Sequence, residues 1–391
     1  MPRLLFLCDR YPPDMGGLAA SAGRISASLC DLGFAVDVVV WSRQLPAGEV
    51  LPPDPELARR PDRPQIYRIG RYRQWDATLP HTLNFLEGLH RQHSYDGVWG
   101  HYLFPGGFVA AWFAELHQCL SFVSVRGNDL DRDLFPPGDF ARLQWTLERA
   151  HHVTAVSADL AHKVKCLTRR EDVRVLPNAV DTERFAPPND AVRVDLSNLR
   201  AALGILSNEV VLGFAGELRE KKGQSFLLQA LTVVRQHYPA CLLVIGDVRS
   251  SQEADLSLYR MHQPNNADRV IVTGHLPDAT AVARHLQLCD VYLQPSLWEG
   301  MPNALLEAMA CGRCCIASDA GGITDVLKHG KNGFVLPRSH LPQLGEAVLE
   351  WLMLDRAIQQ QVQQSAREYV LRCHTLERER SHLHDLLTPL L

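Results

Sequence analysis

The chain has 391 residues, 46% of them hydrophobic and 21% charged, with a formal net charge of −4. That is material for two globular cores, and the charge balance argues against a general nucleic-acid binder, which depends on neutralising phosphates. No stretch approaches the ~18–20 apolar residues of a membrane span, and the ten cysteines lie mostly inside apolar runs, as reduced core thiols of a cytoplasmic protein do.

The opening, MPRLLFLCDRYPPDMGG, turns polar too early for a secretory leader and reads as a first strand. Further apolar runs follow at 34–41, 95–100, 120–126, 152–157 and 173–177, with helical patterns between them. Continuous apolar runs suit strands buried on both faces, and intervening helices imply a parallel sheet. After the first run, Gly16 and Gly17 open the helical pattern LAASAGRISASLCDLG. A glycine pair at such a turn lets backbone approach a ligand and aims N–H groups at negative charge, although many α/β proteins carry one. Residues 44–64 are Pro-rich and polar, a surface loop. GHYLFPGG places His101 at a strand end, where it suits either a hydrogen-bonded structural residue or a group facing a ligand. RGND (126–129) ends the next run, and NDLDRD (128–133) holds two D-x-D spacings of the kind that can bind a divalent cation. ADLAHKVKCLTRR (158–170) gathers Lys163, Lys165, Arg169 and Arg170, either as a solvated helix face or as a seat on anionic lipid.

FAPPNDAVRVD (185–195), with its paired prolines, reads as a linker. Six more apolar runs follow, at 209–216, 241–247, 269–274, 290–296, 314–318 and 333–337, and from about Leu341 the pattern is helical throughout. The expected organisation is a first domain over 1–187, a second over 188–365, and a helical tail over 366–391 packing back toward the first. Each domain is expected to be doubly wound, with a ligand at the carboxyl ends of the strands in a cleft between them. Neither G-x-G-x-x-G after a strand nor G-x-x-x-x-G-K-[ST] occurs, so dinucleotide and P-loop readings lack their motif.

GELREKKG (216–223) sets Arg219, Lys221 and Lys222 before a helix. Cations there oppose the helix dipole unless an anion sits among them, and a bound diphosphate would remove the conflict. SLWEGMPNALLEAMACG (296–312) carries Glu299 in a strand-end loop and Glu307 one turn into a helix. Pro302 fits a first turn, and the amides of Asn303, Ala304 and Leu305 can seat a phosphate. Carboxylates on either side of a phosphate seat suit hydroxyls flanking a diphosphate, as in a nucleotide sugar; acids placed for the helix dipole are the alternative. Cys311, Cys314 and Cys315 lack the second ligand pair that a metal site needs. A second glycine pair, Gly321 and Gly322, opens ITDVLKHG.

The pattern P-S-x-x-E-G-x-P-x-x-x-L-E-A-M-A-C-G at 295–312, followed by G-G-x-x-D, resembles the retaining glycosyltransferase family 4, whose fold is GT-B. Tyr11-Pro12-Pro13 with Gly16-Gly17, VTAVSADL (153–160), LPNAVDTERF (176–185) and GELREKKG extend the likeness over most of the chain. The resemblance implies an α/β chain of two Rossmann-like domains facing each other, and a sugar moved from a UDP- or GDP-linked donor to an acceptor hydroxyl. It implies that Glu307 holds the ribose, that Glu299 contacts the donor sugar, and that Lys222 binds the diphosphate with amides of Gly17, Asn303 and Ala304 nearby. Gly16, Gly300, Met301, Pro302 and Leu305 complete the donor loops, and His101 is similar to a histidine near the reacting centre.

Two departures stand out: the loop that normally has Arg after its first Gly has Glu217, with Arg219 placed to substitute, and RGND has Arg126 where the family has a His that touches the donor sugar, which leaves the sugar open and would suit an acidic sugar or acceptor. Asp129 keeps its place, orienting a side chain or an acceptor hydroxyl. No cofactor and no metal are implied, since the two-domain pattern argues against a D-x-D metal site. The acceptor class stays open among sugars, lipid-linked molecules and small molecules, with no nucleic-acid partner. A GT-B nucleotide-sugar 2-epimerase and a non-catalytic GT-B partner subunit are the alternatives.

Overall fold

β1 (Arg3–Cys8) is buried from Leu4 onward, and its side chains part alternately into two cores. Leu4, Phe6 and Cys8 pack with Ala22, Ile25 and Leu29 of the helix Gly17–Asp31. Leu5 and Leu7 pack with Leu79, Leu86 and Leu89 of Trp75–His93 and with Val109 and Phe113 of Phe108–His117. A strand clothed by helices on both faces has no polar side to show, which is why the apolar runs are continuous. Each buried Leu or Phe contributes about 1.5–3 kcal/mol. The computed structural model describes residues 1–390 apart from 57–59, 61 and 132–136.

The chain divides into two units, Met1–Asn178 with Glu377–Leu391, and Ala179–Leu376. In the first, β1 is joined by β2 (Ala35–Ser42), β3 (Val50–Leu51), β4 (Gln65–Gly70), β5 (Gly97–His101), β6 (Leu120–Val125), β7 (His152–Ala155) and β8 (Arg174–Val175). Their order is β3-β4-β2-β1-β5-β6-β7-β8, parallel except for β3 against β4. The C-terminal helix Leu376–Leu387 places Leu383, Leu386 and Leu387 in the same core as β1 and β2.

The second unit holds β9 (Val210–Ala215), β10 (Ala240–Ile245), β11 (Val270–Val272), β12 (Val291–Gln294), β13 (Cys314–Ser318) and β14 (Phe334–Leu336), parallel in the order β11-β10-β9-β12-β13-β14. Val180 N–H donates to His374 O at 2.9 Å and Val180 bridges Thr375, so the segments entering and leaving this unit run together.

Both sheets reverse direction once, at β1/β5 and at β9/β12. Helices on either side of such a switch point leave opposite faces of the sheet, and the crevice beyond the strands' carboxyl ends becomes a ligand site. The Gly16-Gly17 loop and the GELREKKG loop each follow the first strand of such a pair.

The structure adds two strands to those expected from sequence. β4 was hidden because QIYRIG follows a proline-rich stretch and is broken by Arg68, whose guanidinium donates to Pro12 O at 2.6 Å. β3 is two residues long. The second glycine pair opens a helix of four residues only, Ile323–Val326. The cysteines at 311, 314 and 315 are fully buried, and burial pushes all three thiols up. Among the described residues no group of His, Cys, Asp and Glu is placed to hold a metal; Asp133, the last residue of the second D-x-D, lies outside them. No described helix is long and apolar enough to cross a membrane.

Candidate active site

In the second unit, the loop after β9 and the loop after β12 are fastened to each other. Gly223 has φ +77°, and a Cβ there would stand 2.1 Å from Pro295 O, so the loops approach as only glycine allows. Leu297 N–H donates to Lys221 O at 2.8 Å, and the Lys221 ammonium lies 5.9 Å from the Trp298 ring centroid.

This closeness delivers Lys222, on the turn Glu220–Lys222, to the Glu299 carboxylate, with which it forms an ion pair. Glu299 is 7% exposed. Its Oε1 also accepts from Ser296 Oγ at 2.8 Å and Gln294 Nε2 at 3.3 Å. Behind these, Tyr292 OH donates to Gln294 Oε1 at 2.6 Å, and Ser318 Oγ donates to Ser296 O at 2.5 Å. Burial pushes the Glu299 carboxyl up, but Lys222, Lys221 and the hydrogen bonds outweigh it, and the net shift is downward. The carboxylate is therefore ionised and held in one orientation by residues of β12 and its following loop.

The helix Asn303–Ala310 begins four residues after Glu299, and Pro302, extended at φ −74° and ψ 118°, offers no side-chain cap. Its first amides thus keep the donor capacity of an uncapped N-terminus. Glu307 is half-buried one turn further on. Gly322 N–H donates to Gly300 O at 2.9 Å, which brings the second glycine pair against the Glu299 loop.

Arg219 lies 3.6 Å from Glu217, and Glu217 also receives a two-pronged contact from Arg249, at 2.9 and 3.2 Å. The backbone joins these loops as well: Leu218 N–H donates to Asp247 O at 2.7 Å, and Arg249 N–H to Leu218 O at 3.1 Å. Arg249 went unnoticed in the sequence because it stands in a different loop, 32 residues away. The ladder Tyr292–Gln294–Ser296–Ser318 was also missed; the alternate spacing of Tyr292 and Gln294 on β12 and of Ser296 just past it is the one signal that pointed to it.

In the first unit, Gly16 has φ +109° and precedes the helix Gly17–Asp31, which no side chain caps. His101 ends β5 and is wholly buried. One ring nitrogen, Nε2, lies 2.9 Å from Ser21 Oγ; the other, Nδ1, is buried without a partner, and the ring stacks on Phe6 at 5.5 Å. Burial, with Arg126 and Arg24 adding to it, pushes the imidazole well below its ordinary value, so it is neutral. Arg126, just past β6, donates to Asn178 Oδ1 at 2.5 Å. Asp129 accepts from the backbone N–H of Arg126 at 2.9 Å and of Gly127 at 2.6 Å, and so fixes the RGND turn.

On the helix Ala158–Thr168, Lys163 pairs with Asp131 and Asp159 at 2.7 Å, and Lys165 with Glu171 at 3.4 Å. Arg170 beyond it pairs with Asp172 at 2.7 Å.

Two family models match this chain: "Glycosyltransferase Family 4" over residues 15–184 and "Glycosyl transferases group 1" over 209–353. A D-inositol 3-phosphate glycosyltransferase of Jonesia denitrificans is 27% identical, covering 94% of this chain and 91% of its own. A GDP-mannose-dependent alpha-(1-6)-phosphatidylinositol monomannoside mannosyltransferase of Mycobacterium tuberculosis is 26% identical over 91% and 90% of the two chains. Among solved structures, Anabaena HepE in complex with UDP and glucose superposes with a TM-score of 0.80 at 18% identity, over the whole of both chains, which speaks for the GT-B fold.

Proposed function

The chain belongs to glycosyltransferase family 4, and from that premise we propose that it moves a sugar, with retention, from a UDP- or GDP-linked donor to an acceptor hydroxyl. The observation that carries this reading is the Lys222–Glu299 pair beside an uncapped helix start at the switch point of the second sheet. A diphosphate there meets Lys222 and the amides of Asn303, Ala304 and Leu305, which stabilise the charge that grows on the leaving group. Glu307 accepts from the ribose, and Glu299 from hydroxyls of the transferred sugar. Gly16 and Gly17 give close backbone approach, with Gly300, Met301 and Pro302 shaping the donor loop. Arg219 supplies the cation that Glu217 displaces from the family's usual position, while Arg249 offsets Glu217.

The retained face follows if the leaving phosphate oxygen takes the acceptor's proton, since no carboxylate is set aside as a nucleophile. His101, neutral and locked to Ser21, acts as a hydrogen-bonding group near the reacting centre, and Asp129 acts through the turn it fixes. No metal takes part in this scheme; activity unchanged by a chelator supports that, and activity restored by manganese after chelation overturns it.

The relatives' names favour phosphate-bearing or lipid acceptors as first tests: inositol 3-phosphate for one, a phosphatidylinositol mannoside for the other. The ion pairs of Lys163, Lys165 and Arg170 speak for a solvated helix face; binding to anionic vesicles that Lys163→Ala abolishes would reverse this. Nothing favours the epimerase reading. The deciding experiment supplies a panel of nucleotide sugars with and without acceptors. Transfer, with slow donor hydrolysis alone, supports the proposal; conversion of the donor to its epimer, or binding without turnover, contradicts it.

A further inference from the structure

Arg126 stands just past β6, at the carboxyl ends of the first sheet, beside a second arginine, Arg24. A guanidinium offers five N–H donors in a rigid fork. Here one hydrogen bond goes to Asn178 Oδ1, and among the described residues no carboxylate forms an ion pair with it. Arg24 shows the contrast: its Nε and Nη2 clasp Glu379 at 2.8 and 2.9 Å, and Glu379 is 2% exposed. Arg24 also reaches Asn178 Oδ1, at 3.4 Å, so two like charges converge on a single neutral oxygen. Asp129, the acid closest in sequence, accepts from the backbone N–H groups of Arg126 and Gly127, and its charge acts on Arg126 without a hydrogen bond to the guanidinium.

The surroundings also lack partners. His101 Nδ1 and Ser124 Oγ are both buried without a hydrogen bond, and the two residues are opposite each other in the β5–β6 register. Arg126 itself is half-buried. All of this lies at the carboxyl ends of β5 and β6, beside the switch point, where a ligand of a doubly wound sheet binds.

We propose that the substrate group received at Arg126 is an anion, a carboxylate or phosphate borne by the transferred sugar or by the acceptor. This rests on reading the chain as a nucleotide-sugar transferase. A carboxylate or phosphate fills the fork with two parallel charge-assisted hydrogen bonds. It also relieves the repulsion between Arg24 and Arg126. A hydroxyl would take one donor and leave the charge as it is.

The test has two arms. In the donor arm, UDP-glucose is compared with UDP-glucuronate and GDP-mannose with GDP-mannuronate. In the acceptor arm, a cyclitol is compared with its monophosphate, with each donor. The wild type is expected to favour the anion in one arm by at least about tenfold in kcat/KM. Arg126→Ala is expected to remove that preference by raising KM for the anionic substrate alone, and Arg126→Lys to restore part of it. Equal use of neutral and anionic substrates in both arms overturns the inference. So does a variant that slows both alike, as a purely structural arginine would. If Arg126→Ala fails to fold, the wild-type preference and its reduction in Arg126→Lys decide. UDP and GDP titrations run alongside: binding without any anion preference refutes this inference but leaves the transferase reading standing, whereas no nucleotide binding refutes both.

Discussion

Glu299 and Lys222 are each difficult to bury alone. Their side chains are 8% and 15% exposed, so removing one partner strands the other's charge. Lys222→Ala is expected to lower kcat by about 10²–10³-fold through loss of leaving-group stabilisation. It is also expected to cost about 3–5 kcal/mol in stability, read by denaturant unfolding. The pH dependence has a definite sign. The folded carboxyl lies below its ordinary value of 4.5, so its contribution is present above that pH and is lost as the pH falls through the folded value. In Lys222→Ala burial is opposed by less positive charge, and the acid unfolding midpoint should move to higher pH. His101 acts in the same direction: its folded value is far below the ordinary 6.5, so stability declines as pH drops below 6.5 and the unfolded chain takes up the proton. His101→Asn should flatten that upper part of the acid limb, measured by thermal melts across pH.

Two loop geometries make the site. Gly223 holds the loop after β9 against Pro295, and Gly223→Ala must either clash with that carbonyl or displace Lys222. Strain of this kind costs on the order of 1–3 kcal/mol. The expected result is a lower melting temperature and weakened nucleotide binding; unchanged values for both would show the loop contact to be dispensable. At this scale the sequence was informative wherever the signal was local. Doubly covered strands showed as apolar runs, and the Glu299 loop with its helix start showed as spacing. It was silent where partners come from afar. Arg249 reaches Glu217 across 32 residues, Ser318 supports Ser296 across 22, and neither loop carries a pattern that announces the contact. β4 escaped because its polar residues answer to neighbours, Arg68 to Pro12, and not to a periodic face.

Across the whole chain, the C-terminal helix is part of the first unit although it is last in sequence. Leu383, Leu386 and Leu387 are buried with β1, and Glu379 closes the Arg24 guanidinium. Ending the chain at 376 should therefore remove about 1.5–3 kcal/mol for each lost leucine. It should also leave Arg24 without its acid, giving an insoluble or markedly destabilised protein in solubility and melting assays. The tail expected from sequence began at 366, whereas residues up to Leu376 belong to the second unit, and the Arg24–Glu379 clasp, which spans 355 residues, left no local signal.

A nucleoside diphosphate seated by the second unit's loops after β9 and β12 is what every role proposed for Lys222, Glu299 and Glu307 depends on. Calorimetric titration of UDP and GDP into the intact protein and into Lys222→Ala tests it most directly. The expected result is saturable heat from at least one nucleotide and affinity at least about tenfold weaker in the variant, a difference of ~1.4 kcal/mol. No heat from either nucleotide, or equal affinity in the two proteins, would contradict it.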